Sequence, residues 1–385
     1  MRRVLRTFVA LGILFSVVLV LNVAPAGATS SHSSNSKFEH IFYIMMENHA
    51  TDQIFGNTAD APYINELASQ YASSTDYYGV THPSLPNYLA AISGDFQHIW
   101  DDCKAGPTVT CAPQEFGPNS GYTNGQELLT PAQITQATNT AHWFNDTTIV
   151  DQLEAHGLTW KAYMQSMPYA GYTGEYFPYR TVNGVQVPVK LYAQKHDPYM
   201  YFPAIRNNSA RLNKVVPFNS FQADLESGNV PNFVWISPDQ CHDMHGVSPS
   251  DAAYVGIPSC GSPASGLDHG AIQLGDAFLK STVSEIMGSR AWTEKSAIVI
   301  AWDEDDYTGH TGCCHSPTGV NGAILGGSNA PLLVITSKHP QHFVDSTNPY
   351  NHYSLLATIQ GPWGLGCLES SCNFSSSELM ARFIV

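Results

Sequence analysis

The chain has 385 residues, of which 43% are hydrophobic and 13% charged, so it can bury a large core and disorder is excluded as its default state. A formal net charge of −15 argues against docking to nucleic acid or to an anionic membrane through a broad basic surface. An anionic substrate would need a local counter-charge, for which a metal ion is the obvious candidate.

Residues 1–28 read as a secretory signal peptide. Arg2 and Arg3 lead, an apolar run follows from Phe8 to Val23, and Ala26-Gly27-Ala28 fits a small-residue cleavage site. Cleavage removes Arg2, Arg3 and Arg6, which takes the formal charge from −15 to −18. The expected location is therefore secreted, with no stable membrane span after cleavage; an uncleaved anchor is the competing reading of the same run. Residues 29–37 are Ser-rich and read as a flexible leader, and a single domain is expected over 38–385. Export makes the eight cysteines disulfide candidates. Cys103 and Cys111, Cys241 and Cys260, and Cys367 and Cys372 are close enough in sequence to close small loops. The adjacent Cys313 and Cys314 are expected to reach separate, distant partners.

The first element is His40–His49, HIFYIMMENH. Its unbroken apolar run from Ile41 to Met46 predicts a central strand covered on both faces, and Glu47-Asn48-His49 ends it abruptly. In an open parallel sheet the ligand sits beyond the carboxyl ends of the strands, so the acid and the amide fall where a site belongs. A helix is expected over Ala61–Tyr71, begun near Pro62. Val80–Gly94, VTHPSLPNYLAAISG, reads as a strand, a sharp turn at Pro83 and Pro86, and a helix, with Ser84 at the turn. A hydroxyl there lies by a helix N-terminus, where free N–H groups favour a phosphate or oxyanion.

Residues 95–145 are rich in Gly, Pro, Thr and Asn and are expected to form a loop or lid over the site. Thr148–His156 predicts a helix and Leu158–Tyr163 a strand. The tyrosine-dense stretch from Tyr169 to Tyr201 suggests either a substrate-facing rim or a packed loop, and packing is the preferred reading. Asn232–Ser237 is a further buried strand, running into Asp243 and His245; an insertion at 247–266 follows. Ala271–Met287 predicts an amphipathic helix. Ala297–Ala301 (AIVIA) is a buried strand that runs straight into Asp303-Glu304-Asp305-Asp306. Pro331–Thr336 predicts another strand, and Tyr350–Ile359 a helix carrying His352, read as a packed histidine. Strands and helices alternate without a repeat, which is an α/β pattern. Four strand ends thus carry Glu47-Asn48, Ser84, Asp243 with His245, and Asp303-Glu304. Hard cations take oxygen ligands of these kinds, and a bound metal would lower the pKa of the hydroxyl and make it a nucleophile.

HIFYIMMENH, THPSLPNYLAAISG, PDQCHDMHG, GDAFLKSTVSEIMGSRAWTEKSAIVIAWDEDD and NPYNHYSLLATIQ together resemble the phosphoesterase family of secreted acid phosphatases and non-haemolytic-type phospholipases C, within the alkaline phosphatase superfamily. The resemblance runs from about Phe38 to Gly364. It implies a central, mostly parallel sheet with helices on both faces. It also implies one divalent metal, Mg, Ca, Mn or Zn, held by Glu47, Asn48, Ser84, Asp303 and Glu304. Ser84 precedes Leu-Pro-Asn-Tyr, similar to the nucleophile context of the superfamily's phosphodiesterases. It is therefore chosen as nucleophile over Thr81 and Ser93, with a phosphoserine intermediate.

His245 and His269 are expected to hold the phosphate, one or both of them. His82, Asn87 and His310 complete the expected substrate-binding set. Asp305 and Asp306 are expected to be solvated or to support the site from outside. The implied substrate is a small phosphorylated molecule or a phospholipid headgroup. A phosphomonoesterase of acid phosphatase type is preferred, because the phospholipase C branch carries extra C-terminal β domains that this sequence does not show. Phospholipase C or another phosphodiesterase is the alternative, and a non-catalytic binding protein on the same scaffold the rival from another class. No CxPxR or GxSxG motif is present to support a sulfatase or a serine esterase.

Overall fold

The computed structural model describes residues 38–114, 123, 125–261, 269–338, 341–375 and 379–384. The expected signal at 1–28 and leader at 29–37 lie outside them, as do residues 115–122 and 124 of the expected lid and 262–266 of the second insertion. Ser36–Val385 forms one compact unit.

The strands are β1 (His40–Met46), β2 (Ala72–Tyr78), β3 (Trp160–Met164), β4 (Tyr176–Val182), β5 (Val185–Ala193), β6 (Val215–Pro217), β7 (Phe233–Ser237), β8 (Ser296–Trp302), β9 (Asn329–Thr336), β10 (Phe343–Asp345) and β11 (Tyr350–Asn351). One sheet runs in the order β10-β2-β9-β8-β1-β7-β3-β6, with β11 beside β2, while β4 and β5 form a separate hairpin. All pairings of the large sheet are parallel except those of β9, which is antiparallel to both β2 and β8. The sheet is thus the mixed, mostly parallel one that the alternating pattern predicts.

β1 lies in the middle, and every residue from Ile41 to Met46 is buried, whichever face it points to. That is why its sequence shows no polar alternation. One group of helices, Pro62–Gln70, Asn219–Ser227 and His269–Gly288, packs together; Ser84–Ser93, Ile149–Ala155 and His352–Trp363 form another. The helix Pro62–Gln70 brings no acid in its own first turn. Its N-terminus is closed instead by Asp276 of the long helix, whose Oδ1 and Oδ2 accept from the amides of Ile64 (2.8 Å) and Tyr63 (3.2 Å).

Parallel register brings the strand ends together. Ile41 sits opposite Phe233 and Ala297, and Met46 opposite Trp302. Glu47 N then donates to Asp243 O (2.8 Å), and Asp303 N to Met46 O (3.0 Å), so three acidic strand exits are tied to one another through their backbones. Three cysteine pairs close as expected: Cys103–Cys111, Cys241–Cys260 and Cys367–Cys372. Cys313 and Cys314 correct the expectation of distant partners, for they bridge each other. With the other six cysteines paired locally, no distant thiol is left for them. Among the described residues, no helix is long and apolar enough to cross a membrane.

Candidate active site

Ser84 is the first residue of the helix Ser84–Ser93 and is wholly buried. The turn before it is held by Asn87. Its Oδ1 accepts from the amides of Val80 (2.7 Å) and Thr81 (3.2 Å), and its Nδ2 donates to the carbonyls of Thr81 (2.6 Å) and Pro83 (3.1 Å). Asn87 was expected to bind substrate; all of its hydrogen-bonding capacity goes into this strap instead. Asn87→Ala leaves buried amides and carbonyls unpaired and is expected to cost roughly 2–4 kcal/mol of stability. A urea midpoint equal to that of the parent chain would contradict the strap.

From this turn the Ser84 Oγ reaches Glu47 Oε2 (2.9 Å) and Glu304 Oε1 (3.2 Å). Four carboxylates from three strand ends, Glu47, Asp243, Asp303 and Glu304, are fully buried around it. Asn48 turns the chain out of β1 with φ +51, a left-handed conformation that Asn tolerates better than most residues, and its amide donates to Asp303 Oδ1 (3.1 Å). Behind Asp303 the backbone of Gly79 comes so close that a Cβ there would stand 2.7 Å from the Asp303 carbonyl oxygen. His352 is a packed histidine, as expected. Its Nε2 donates to that same carbonyl (2.7 Å), its Nδ1 accepts from the Tyr77 hydroxyl (2.7 Å), and burial holds its pKa down at about 4.

His82 lies under Glu304, with Nδ1 at 2.5 Å from Oε2 and Nε2 at 3.0 Å from Gly309 O and 3.3 Å from Asp305 Oδ1. Both ring nitrogens face acceptors. Burial alone would lower its pKa, but the charge of Glu304 and the hydrogen bonds to Asp305 and Glu304 outweigh this and raise it to about 10. His82 is therefore an imidazolium that anchors Glu304. Of the two readings expected for Asp305, solvated or supporting the site from outside, the structure gives the second, for it is buried behind His82. Asp306 is tied to Gln53 Nε2 (2.5 Å).

His245 does reach the serine's surroundings. Its Nδ1 donates to Gly246 O (2.8 Å), which leaves Nε2 as an acceptor 3.3 Å from Lys195 Nζ. Burial and then the Lys195 charge lower its pKa to about 3, so it is neutral. His269 is not brought to Ser84. It opens the helix His269–Gly288, pairs with Asp60 Oδ2 (2.5 Å), and its side chain is 69% exposed on a separate depression shared with Asp52 and Gln53. His310 is also occupied elsewhere, its Nδ1 donating to Ile324 O (2.8 Å).

The sequence reading missed Lys195, His196 and Asp102. The turn after β5 carries Lys195 and His196 into the site, within the stretch assigned to packing. Packing is right for Tyr192, Tyr199 and Tyr201, which are buried. The available signal was Lys195-His196-Asp197, three consecutive ionisable residues inside an otherwise aromatic and apolar run. Lys195 Nζ lies 3.3 Å from Ser84 Oγ and donates to Asp102 Oδ2 (3.0 Å). Asp102 Oδ1 in turn accepts from the amide of Leu85, the residue after the serine (3.0 Å). His196 stacks on Tyr88, with centroids 5.1 Å apart and planes at 7°. Its Nε2 and Nδ1 stand 3.1 Å from Glu47 Oε1 and Asp243 Oδ2 respectively. Burial, then Lys195 and His245, hold its pKa well below the usual range, so it too is neutral.

The donor set fits a divalent cation. Glu47 Oε1, Asp243 Oδ2, Asp303 Oδ2 and His196 Nε2 are buried without a hydrogen-bond partner, an expensive arrangement unless something else satisfies them. Donor atoms of Glu47, His196 and Asp243 all lie within 4.8 Å of one another. The Asn48 side-chain oxygen faces only acceptors: with the amide turned over, its nitrogen would donate to Glu47 Oε2 (2.8 Å) and Glu304 Oε1 (3.3 Å). Burial raises Glu47 to about 8 and lifts Asp243, Asp303 and Glu304 above the usual carboxylate range, since two nearby cations do not balance four buried acids.

A buried hydroxyl at a helix N-terminus thus stands between carboxylates and an ammonium, at the carboxyl ends of parallel strands in a mixed α/β sheet. The Phosphoesterase family model matches residues 57–257 and 262–366, and the chain belongs to that family. It is 24% identical over 335 residues to a probable acid phosphatase of Kluyveromyces lactis, covering 87% of this chain and 60% of that protein. It is also 24% identical over 366 residues to a phosphatidylinositol-3-phosphatase of Mycobacterium tuberculosis, covering 94% of this chain and 90% of that one. The chain thus spans about 60% of the length of the fungal relative. Among solved structures, a protein of the alkaline phosphatase superfamily from Vibrio parahaemolyticus aligns with a TM-score of 0.42 and 14% identity, over 86% of this chain and 67% of that one.

Proposed function

We propose that the chain is a secreted, metal-dependent phosphoric monoester hydrolase of acid phosphatase type, with Ser84 as nucleophile. The observation that carries this reading is the position of Ser84 Oγ, 2.9 Å from Glu47, 3.2 Å from Glu304 and 3.3 Å from Lys195. The carboxylates can accept the hydroxyl proton, and the ammonium stands where charge would gather on a transferring phosphoryl group. Both relatives are named phosphatases, which supports a monoester rather than a diester.

A divalent cation held by Glu47, Asn48, Asp303 and Glu304, with His196 and Asp243 as further donors, would supply a lowered serine pKa and neutralise phosphoryl charge. The protein's own residues do the rest. Ser84 Oγ attacks phosphorus in line and passes its proton to Glu47 or Glu304. The Oγ–P bond forms as the bond from phosphorus to the leaving oxygen breaks, and the alcohol departs with the electron pair, protonated from solvent. Water then attacks the phosphoserine, the bond from phosphorus to Oγ breaks, and the stored proton returns to the serine. Lys195 holds the phosphoryl oxygens. Neutral His245 and the Asp102 carboxyl fix the ammonium from two sides, and His82 opposes the upward pull of burial on Glu304.

Initial rates on p-nitrophenyl phosphate, bis-p-nitrophenyl phosphate and p-nitrophenyl phosphorylcholine, before and after chelation and metal re-addition, test this. Cleavage of the monoester that chelation stops and metal restores is the expected result. Preference for the phosphorylcholine ester would move the function to phospholipase C. Inertness towards all three with every metal would favour a binding protein.

A further inference from the structure

Beside Lys195 and His245 opens a cleft of about 460 Å³, whose lining includes Tyr176 and Gln240 and, on its rim, Lys190. Lys190 belongs to β5, yet its φ is +60, a left-handed conformation unusual for a lysine within a strand. The hairpin register shows what happens there. Phe177 pairs with Tyr192 and Tyr179 with Pro188, so a bulge puts extra residues of β5 opposite one of β4, and Lys190 lies in it. Bulges beside active sites re-aim side chains. This one is fastened by Gln240, whose Nε2 donates to Lys190 O and whose amide donates to Leu191 O (3.0 Å). Gln240 comes from the segment between β7 and the Asp243-His245 strand exit, so the bulge is tied to the active-site backbone. The neighbours Val189 and Leu191 are buried while Lys190 is exposed, its ammonium 4.7 Å from the centroid of the Tyr176 ring.

The charges around the cleft are otherwise matched. Asp102 is paired with Lys195 (3.0 Å) and Asp251 with Arg180 (3.0 Å). Among the described residues Lys190 has no carboxylate within ion-pair distance, in a chain whose formal charge is −15. The left-handed backbone at Lys190 carries a local cost, and it presents a cation without a carboxylate partner over an aromatic ring, in the cleft beside Lys195 and His245.

We propose that Lys190 is a specificity residue that binds an anionic group on the leaving-group side of the substrate, so that the preferred substrates are monoesters whose alcohol carries a carboxylate or a second phosphate. This rests on the monoesterase reading above. Lys195 and the carboxylate cluster take the reacting phosphoryl group, the cleft takes the alcohol, and Lys190 with Tyr176 meets its anionic substituent at the open end.

The test compares kcat/KM for phenyl phosphate with that for 3- and 4-carboxyphenyl phosphate, two isomers that place the extra charge at different reaches. The parent chain, with metal, is expected to favour at least one carboxylated ester by about tenfold, the size of one charge-assisted contact in a partly open cleft. Lys190→Gln should remove that preference and Lys190→Arg should restore most of it, which a general loss of folding cannot do. Equal turnover of all three esters by the parent, or a preference that survives in Lys190→Gln, overturns the assignment while leaving the phosphatase reading intact. Release of phosphate from none of the three overturns the phosphatase reading itself.

Discussion

Ser84→Ala is expected to lower turnover of a phosphate monoester by at least about 1000-fold under the proposed mechanism, because among the described residues no other serine or threonine hydroxyl bonds both Glu47 and Glu304, and losing a nucleophile costs roughly that much or more. Thr81 and Ser93, the other candidates in the same stretch, are buried, but Ser93 donates to Leu89 O (2.8 Å) within its own helix and neither is placed between the carboxylates. The fold is expected to survive the change. The helix starts after Pro83 and draws no cap bond from the serine, and Asn87 holds the turn independently. Far-ultraviolet circular dichroism and the thermal midpoint should therefore match those of the parent while the rate collapses. A folded Ser84→Ala chain retaining activity within tenfold of the parent would end the nucleophile assignment.

The second large effect concerns metal and pH together. In the chelated chain the buried acids favour their protonated forms, with Glu47 raised to about 8 by burial, only partly offset by Lys195. A carboxyl whose pKa is higher folded than unfolded takes up its proton on folding. Its contribution is therefore fully present below the unfolded value, near 4.5, and is lost as pH rises through the folded value of about 8. Asp243, Asp303 and Glu304 are shifted in the same direction and act with the same sign. His82 extends the trend, since its contribution fades between its unfolded value of 6.5 and about 10.

The chelated chain is thus expected to lose thermal stability steadily between pH 4.5 and 8. A saturating divalent cation should recover it, by roughly 5 °C or more at the alkaline end, since it binds the ionised cluster of the folded chain alone. Thermal scans across that range, with and without Mg²⁺, Ca²⁺, Mn²⁺ or Zn²⁺, measure it directly. Identical curves in every condition would refute a cation at this cluster.

Several elements were legible because their causes are local. A strand buried on both faces must be apolar throughout, so Ile41–Met46 announced β1 and Ala297–Ala301 announced β8. The helix expected over Ala61–Tyr71 is present at Pro62–Gln70, started by the proline. Ser84 stood at a turn because Pro83 and Pro86 leave little else for that stretch to do. The acids closing β1 and β8 fell beside one another because parallel strands in register end together.

What the sequence by itself determined about this protein is therefore the α/β alternation, the buried strands, the turn that presents Ser84, and the acids that leave the sheet with β1 and β8. Tertiary structure decided which of the remaining polar residues share that place. His269 and His245 look alike in sequence, each followed by a glycine and preceded within two residues by an aspartate. Only His245 follows a strand in contact with β1, whereas His269 opens a helix paired with Asp60. Lys195 and His196 sit in a segment whose tyrosines read as packing, and Lys195 reaches Ser84, and His196 reaches Glu47 and Asp243, only because the β4–β5 hairpin returns its end to the sheet's carboxyl edge. Local pattern reports burial and periodicity, which depend on near neighbours. Meetings between residues more than a hundred positions apart, as between Ser84 and Lys195, are set by strand order and crossover, and no stretch of the chain records them by itself.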